Sequence, residues 1–333
     1  MIQGIVHDVS ASGSTLFIEP KNIVELNNKV VEHELKIERE IKRILSDITE
    51  EILLREKDIL KSHKIIARLD FIFAKAKYAI QIKASKPDIN SENKMIIKGF
   101  KHPVLLKILE NVIENDVELG ENYDCLIITG SNTGGKTVTL KSVALCVLMT
   151  KAGLFIPAKS GNIYPFKNIF ADIGDEQSIV QSLSTFSGHL KNIIDILNQS
   201  DNDTLVLLDE IGAGTDPQEG SALAQAILEY LNKIGAKTIV TTHYGELKAL
   251  AYTQERFENA SVQFDTEKLQ PTYKLLTGIP GKSNAITIAA NLGLKEEISN
   301  KANQIYHTQK DNTGKVLDGL QNAQKQLDKN VEI

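Results

Sequence analysis

The sequence predicts an α/β fold in which a mostly parallel sheet is flanked by helices, preceded by an N-terminal helical lever segment. The first observation is that short apolar runs alternate with helical patterns in the second half of the chain; the runs are 125–129, 204–208 and 238–242. Apolar strands that alternate with helices are typical of a parallel sheet covered on both faces. The second observation is that no Gly or Pro occurs from Lys21 to Ser85, which favours long helices.

The first 86 residues predict a hairpin followed by helices. Apolar residues on both sides of the turn-forming segment 10–14 predict two short strands, and Pro20 closes them. Beyond this point, isoleucines recur every three or four residues amid Glu and Lys, at Ile37, Ile41, Ile44, Ile48 and Ile52. This spacing predicts one long amphipathic helix, or two, able to pack as a coiled coil or to act as a lever.

Composition indicates a cytoplasmic protein without a membrane partner. The chain has 333 residues and a formal net charge of −5. No apolar stretch is long enough for a membrane span, and the N-terminus lacks the basic and apolar pattern of a signal peptide. Cys125 and Cys146 lie in apolar runs and not at metal-ligand spacing, which predicts buried, reduced thiols.

Charge is unevenly distributed along the predicted helices. Between Leu53 and Lys86 there are nine basic and three acidic residues. One interpretation is a solvated helix face, because charged residues commonly cover exposed helices. The other is a strip that contacts the phosphates of nucleic acid. The mildly acidic chain as a whole does not favour general attraction to nucleic acid.

A phosphate-binding motif follows the first apolar run. The motif G-x-x-x-x-G-K-[ST] is formed by Gly130, Ser131, Asn132, Thr133, Gly134, Gly135, Lys136 and Thr137. It follows a predicted strand and opens a predicted helix, which is the context that a P-loop requires. The backbone N–H groups would surround the phosphates of ATP. We expect Lys136 to reach the β- and γ-phosphates and the Thr137 hydroxyl to ligate Mg²⁺.

Acidic residues end the second apolar run. Asp209 and Glu210 follow the predicted strand 204–208 and would lie at the carboxyl edge of the sheet, where α/β proteins bind ligands. We expect Asp209 to hold Mg²⁺ and Glu210 to orient or deprotonate the attacking water. The other interpretation is that the two acids merely mark where the strand leaves the apolar core. The presence of the P-loop upstream favours the catalytic interpretation.

Two further polar residues are candidates for the same site. His243 comes directly after the apolar run 238–242, where an imidazole could sense the γ-phosphate; a structural histidine is the alternative. Gln177 lies between the P-loop and the acid pair and could bind nucleotide and couple it to a neighbouring domain. The predicted catalytic set is therefore Lys136, Glu210 and His243.

Taken together, these residues resemble the ATPase of the MutS family, which is related to ABC-type ATPases. The resemblance implies an ABC-type P-loop NTPase fold with ATP and Mg²⁺ as cofactors. In the family, the serine of a Ser-Thr-Phe segment reaches the nucleotide of the opposite subunit, which implies a homodimer with Ser184 as an ATP-binding residue. Besides the P-loop, the matching segments are 184–186, 209–215, 241–244, 281–285 and 289–294.

Details resemble the second bacterial branch of the family, whose members carry a C-terminal Smr nuclease domain. These details are the segments 4–13 and 17–20, Ala213, and Asp216-Pro217. The resemblance implies a fragment without the mismatch-reading and Smr regions, so nuclease activity is not assigned to this chain. It divides the chain into a partial core and lever region, an ATPase domain, and a helical dimerisation segment with the start of a helical tail, which cover 1–86, 87–275 and 276–333.

The family resemblance implies Mg²⁺-dependent ATP hydrolysis coupled to binding of branched DNA without sequence specificity, with suppression of recombination. A second function stays open, namely an ATP-driven factor that acts on stalled or collided ribosomes and contacts rRNA. A third class is a nucleotide-gated scaffold with slow turnover. The motifs predict the ATPase and do not separate these targets.

Overall fold

The computed structural model describes residues 3–131, 134–174, 182–265, 270–281, 285–291 and 293–309. For residues 182–185, 285 and 307–309 it describes the backbone alone. The chain divides into two compact units, one up to Ala74 and one from Lys75 onward.

The N-terminal unit consists of a hairpin and long helices. Strands β1 (Gly4–Val9) and β2 (Leu16–Pro20) pair antiparallel, and helix α1 (Lys21–Leu54) follows directly. Arg55 separates α1 from α2 (Glu56–Gln81). No residue of either helix is buried, so the apolar stripe of α1 remains exposed. Its function as a lever stays a prediction.

The second unit is built on a mostly parallel sheet, which confirms the predicted α/β class. The strand order is β12-β11-β6-β10-β9-β8. All neighbours pair parallel except β11 and β12, which are antiparallel. The bounds are β6 Cys125–Thr129, β8 Asn168–Asp172, β9 Thr204–Leu208, β10 Lys237–Thr241, β11 Phe257–Asp265 and β12 Gln270–Thr277.

A second, four-stranded sheet with the order β3-β7-β4-β5 was not expected from the sequence. Two of its strands are very short or polar, so no apolar run marks them. A short helix, α3, follows β4. The bounds are β3 Asp88–Ile89, β4 Met95–Phe100, α3 Leu105–Ile108, β5 Asn115–Leu119 and β7 Ser160–Ile163.

Helices cover the six-stranded sheet, and side chains of alternate β6 residues enter opposite cores. Leu126 and Ile128 pack in one core with residues of α4 and the four-stranded sheet. Cys125 and Ile127 pack in the other core with residues of α5 and α6. The bounds of the helices are α4 Lys136–Lys151, α5 Ser182–Gln199, α6 Pro217–Lys233, α7 Leu250–Thr253, α8 Ala285–Asn291 and α9 Glu296–Gln309, with a 3-10 turn at Glu246–Ala249.

Both cysteines are buried and free, as predicted. Burial raises the pKa of both thiols, that of Cys146 to about 12, so neither is a reactive thiolate at neutral pH. Among the helices that the structure describes, none is long and apolar enough to cross a membrane.

An ion-pair cluster fixes the start of β6. Asp124 accepts hydrogen bonds from Arg256 Nε and Nη2, both at 2.8 Å, and its Oδ1 lies 2.9 Å from Lys237 Nζ. Burial alone would raise the pKa of the Asp124 carboxyl, but the hydrogen bonds from Arg256 and Lys237 hold it below its ordinary value. The cluster joins residues that adjoin or begin β6, β10 and β11, at the edge opposite the P-loop.

Candidate active site

The described part of the P-loop lies between β6 and α4, as the sequence predicts. Every residue of β6 is buried, so the strand delivers Gly130 to the carboxyl edge of the sheet. Gly130 and Gly135 have φ values of 139° and 92°, which a residue with a Cβ rarely adopts. Helix α4 then begins at Lys136, with Thr137 half-buried in its first turn.

Lys136 is a buried cation inside this turn. The residue is only 2% exposed, and its Nζ donates to the Gly130 carbonyl oxygen at 2.7 Å. Burial lowers the pKa of Lys136 to about 8, although the nearby Glu210 and Asp209 act in the opposite direction. A bound anion would favour the charged form, because an opposite charge offsets the desolvation of the ammonium group.

The acid pair lies at the end of β9, where Thr241 of the neighbouring strand joins its two members. The Thr241 hydroxyl donates to Asp209 Oδ1 and accepts from the Glu210 N–H at 2.8 Å. Glu210 has a φ of 48°, a left-handed conformation that costs a non-glycine residue roughly 1–3 kcal/mol. The fully buried Thr241 therefore joins the strained backbone of Glu210 to the carboxylate of Asp209. Sequence reasoning placed Thr241 in a motif but missed this contact.

His243 connects the P-loop lysine to the acid pair. Its Nε2 lies 3.3 Å from Lys136 Nζ and 3.2 Å from Glu210 Oε1. A neutral imidazole can accept through Nε2 or donate through it, but one nitrogen cannot do both at once. The hydrogen bond formed at Nε2 thus depends on the tautomer. The structure brings together the three residues predicted to be catalytic.

Several predicted residues lie outside the described part of the chain. Asn132, Thr133 and Gln177 are among them. For Ser184 the structure describes the backbone, which belongs to α5, but not the side chain. The nucleotide contacts of these four residues stay predictions.

A cavity of about 330 Å³ opens beside the P-loop. Its wall includes His102, whose Nδ1 is buried and has no hydrogen-bond partner among the described residues. Burial, and then the charge of Lys141, lower the pKa of His102. The ring of Tyr273 lies against the P-loop, since a Cβ added to Gly135 would stand 2.9 Å from Tyr273 Cδ1. A single tyrosine in an edge strand carries no sequence signal for this position.

Gly281 packs directly on the residues that open the P-loop. Its N–H donates to Thr129 Oγ1 at 2.7 Å, and a Cβ added to it would stand 3.0 Å from the backbone nitrogen of Gly130. Lys248 Nζ also donates to the Gly281 carbonyl oxygen at 2.7 Å. The resemblance assigned the segment 281–285 to the dimerisation region, and that role stays a prediction.

Within the described ranges, no group of three or more His, Cys, Asp or Glu side chains is arranged to hold a metal ion by itself. The assignment of Thr137 and Asp209 as Mg²⁺ ligands stays a prediction. Mg²⁺ is usually bound by one or two carboxylates together with substrate phosphates and water.

Comparisons with known proteins match most of the chain. A family model described as MutS domain V matches residues 126–310. A protein named Endonuclease MutS2 from Geobacillus sp. (strain WCH70) is 52% identical over 326 residues, and one from Bacillus mycoides (strain KBAB4) is 54% identical over 300 residues. These alignments cover 98% and 90% of this chain but 41% and 38% of the relatives. The chain spans about two fifths of the length of the relatives it matches.

Proposed function

From the premise that this chain belongs to the MutS family, we propose that it binds Mg²⁺-ATP at the P-loop and hydrolyses it. The observation that carries the proposal is the continuous contact from Lys136 through His243 to Glu210. This contact supports our assignment of Glu210 as the general base, His243 as the γ-phosphate sensor and Lys136 as the phosphate-binding cation. The endonuclease activity in the relatives' names is not carried over to this chain.

The residues around the P-loop fit a polyphosphate. Lys136 is buried, and its lowered pKa reflects desolvation that an anion would offset. Ser131 Oγ is buried without a hydrogen-bond partner among the described residues. The N-terminus of the sixteen-residue helix α4 adds positive potential. These groups are the donors that bound phosphate oxygens would accept from.

Thr137 and Asp209 would hold Mg²⁺ between them and the phosphates. The ion would neutralise negative charge on the phosphate oxygens. The Thr241 hydroxyl fixes one Asp209 oxygen, which leaves the other oxygen available for the ion or for a water bound to it. Glu210 would orient or deprotonate the attacking water, and His243 would respond to the γ-phosphate through its contact with Lys136.

The cavity beside Gly135 would take the adenine base. It is bordered by apolar and aromatic side chains with a few polar groups, which is the usual lining of a small-molecule site. His102 Nδ1, buried without a partner, offers a polar contact to the base. The residues that line the cavity include Phe100, His102, Leu105, Val138 and Tyr273.

We further propose a homodimer in which Ser184 of one subunit reaches the ATP of the other. A single P-loop leaves the γ-phosphate partly solvated, and a second subunit would supply further donors and exclude water. ATP would close the dimer, and hydrolysis would release it. Branched DNA is the proposed target, with suppression of recombination as the outcome, and the basic residues of α2 are the candidate phosphate contacts.

Steady-state ATP hydrolysis by the purified chain tests this proposal. Glu210→Gln is the blank, and removal of the carboxylate is expected to lower kcat roughly 10²–10⁴-fold. Wild-type activity no higher than that of Glu210→Gln would contradict the ATPase. A four-way DNA junction should stimulate hydrolysis more than a linear duplex of equal length. Equal stimulation by the junction and the duplex would contradict recognition of branched DNA. Stimulation by ribosomes but by neither DNA would identify the ribosome as the target instead.

A further inference from the structure

Tyr273 has a backbone conformation that its sequence does not favour. Its φ is 58°, in the left-handed region that aromatic residues rarely occupy. The pairing of β11 with β12 is irregular at this point: Val262 pairs with Leu275 and Phe264 with Pro271, so Tyr273 lies in the irregular stretch of β12. The irregular backbone directs the Tyr273 ring towards Gly135 of the P-loop. A strained residue persists only where its surroundings determine its conformation.

The side chain of Asn115 provides that restraint. Its Nδ2 donates to the Tyr273 carbonyl oxygen at 2.9 Å, and its Oδ1 accepts from the Leu275 N–H at 2.8 Å. One amide thus bonds both sides of Lys274 on β12. Asn115 is only 6% exposed, so water does not compete for these bonds. Lys274 Nζ adds a third bond, to the Glu114 carbonyl oxygen at 2.7 Å.

These bonds connect the two sheets at the cavity beside the P-loop. Asn115 begins β5 of the four-stranded sheet, whereas Tyr273 lies on the edge strand of the six-stranded sheet. Both residues border the cavity of about 330 Å³, as does Gly135. Any rotation of the Asn115 amide would release the strained residue and move one aromatic wall of the cavity.

We propose that Asn115 is a positioning residue for the nucleobase. It holds Tyr273 in the left-handed conformation, so that the aromatic ring forms a fixed wall for a purine next to Gly135. The inference rests on the proposed function, because it assumes that the P-loop binds a nucleoside triphosphate. It adds that affinity for the base depends on a buried amide, while affinity for the phosphates does not.

The carboxamide is needed because it donates and accepts at once. In Asn115→Asp an oxygen replaces the Nδ2 donor and faces the Tyr273 carbonyl oxygen, while the acceptor for Leu275 remains. In Asn115→Leu both bonds are lost. Each variant should bind ATP roughly tenfold more weakly, the effect expected when one aromatic contact of about 1.4 kcal/mol is lost or misaligned. Affinity for Mg²⁺-tripolyphosphate should stay within about twofold.

The test compares ATP and tripolyphosphate binding by isothermal titration calorimetry. The matched control is Asn259→Asp, which alters another buried asparagine that donates to a backbone carbonyl, that of Lys248, and that does not border the cavity. Its ratio of ATP to tripolyphosphate affinity should equal that of the wild type. Thermal unfolding curves of all variants are measured first, and the titrations are carried out at a temperature at which every variant is folded.

A further arm places Asn115→Asp in a Tyr273→Ala background. If Asn115 acts through the tyrosine ring, the second substitution should leave the affinity ratio unchanged, because contacting residues are not additive. A drop that is equal for ATP and tripolyphosphate, or no drop at all, would overturn the role of Asn115. A wild-type chain that binds tripolyphosphate as tightly as ATP would overturn it too but leave the P-loop site standing. Binding of neither ligand would overturn the proposed function itself.

Discussion

Replacing Thr241 with Val tests whether one hydroxyl aligns the acid pair. Val keeps the shape and β-branching of Thr but removes the donor to Asp209 and the acceptor for the Glu210 N–H. A hydrogen bond to a charged group contributes roughly 1.5–3 kcal/mol, and a buried N–H left without a partner costs roughly 1–3 kcal/mol. Because Asp209 and Glu210 are only half-buried and can reach water, the combined loss should be about 3 kcal/mol.

Part of that loss should appear in catalysis. Without Thr241 the strained backbone of Glu210, at a φ of 48°, loses its anchor, and the carboxylate no longer keeps a fixed distance from Asp209. If the whole of about 3 kcal/mol were expressed in the transition state, kcat would fall roughly 100-fold. Steady-state hydrolysis at saturating Mg²⁺-ATP measures kcat, and Thr241→Ser, which retains the hydroxyl, should recover most of it.

The same strand supplies a matched control. Thr238 is also fully buried, but its hydroxyl has no hydrogen-bond partner among the described residues. Thr238→Val should therefore leave kcat unchanged and should not lower the free energy of unfolding, because it removes a buried polar group without breaking a bond. Equal kcat values for Thr238→Val and Thr241→Val, with both proteins folded, would refute the alignment argument.

Two more predictions concern the borders of the site. Asp124→Asn should lower the free energy of unfolding at neutral pH by about 3 kcal/mol, because it breaks a buried ion pair with Arg256. The folded-state pKa of Asp124 is lowered, so its contribution to stability is lost as pH falls through that pKa. The difference in the free energy of urea unfolding between wild type and variant should therefore shrink at acidic pH. A difference that is the same at both pH values, or an equal loss of stability in the exposed control Asp195→Asn, would contradict this. Gly281→Ala places a Cβ 3.0 Å from the P-loop backbone and should weaken ATP binding measured by calorimetry by roughly tenfold, the effect of about 1.4 kcal/mol of overpacking. The control Gly245→Ala meets open space, and an equal effect in both variants would contradict the packing argument.

The part of the site that could be predicted is formed by residues that are contiguous in the sequence. The P-loop requires glycines at fixed spacing, and a buried strand ends directly before Asp209, so local patterns suffice for both. The three central strands of the six-stranded sheet were predictable for the same reason, because each is short, contains an apolar run and is buried throughout. The four-stranded sheet was not, since β3 has only two residues and an alternating, partly polar strand such as β5 resembles a loop in sequence.

The unpredictable contacts join residues that are far apart in the chain. Thr241 and Asp209 are 32 residues apart, and Asn115 and Tyr273 are 158 apart. Each contact depends on which strands become neighbours and on a local departure from regular geometry, at Glu210 in one case and at Tyr273 in the other. Neither a threonine in a buried strand nor a tyrosine in an edge strand differs in sequence from an ordinary packing residue.

The two strained residues, Glu210 and Tyr273, lie on opposite sides of the P-loop strand β6, and each side carries a different part of the site. Strand β6 pairs with β10 on one side and β11 on the other. The β10 side carries Thr241 and leads to His243, and we expect it to control the groups that act on the terminal phosphate. The β11 side leads through β12 to Tyr273 and Asn115, which border the cavity. Because separate hydrogen bonds fix each side, we expect substitutions on one side to alter hydrolysis and substitutions on the other to alter affinity for the base, while the P-loop between them remains the same.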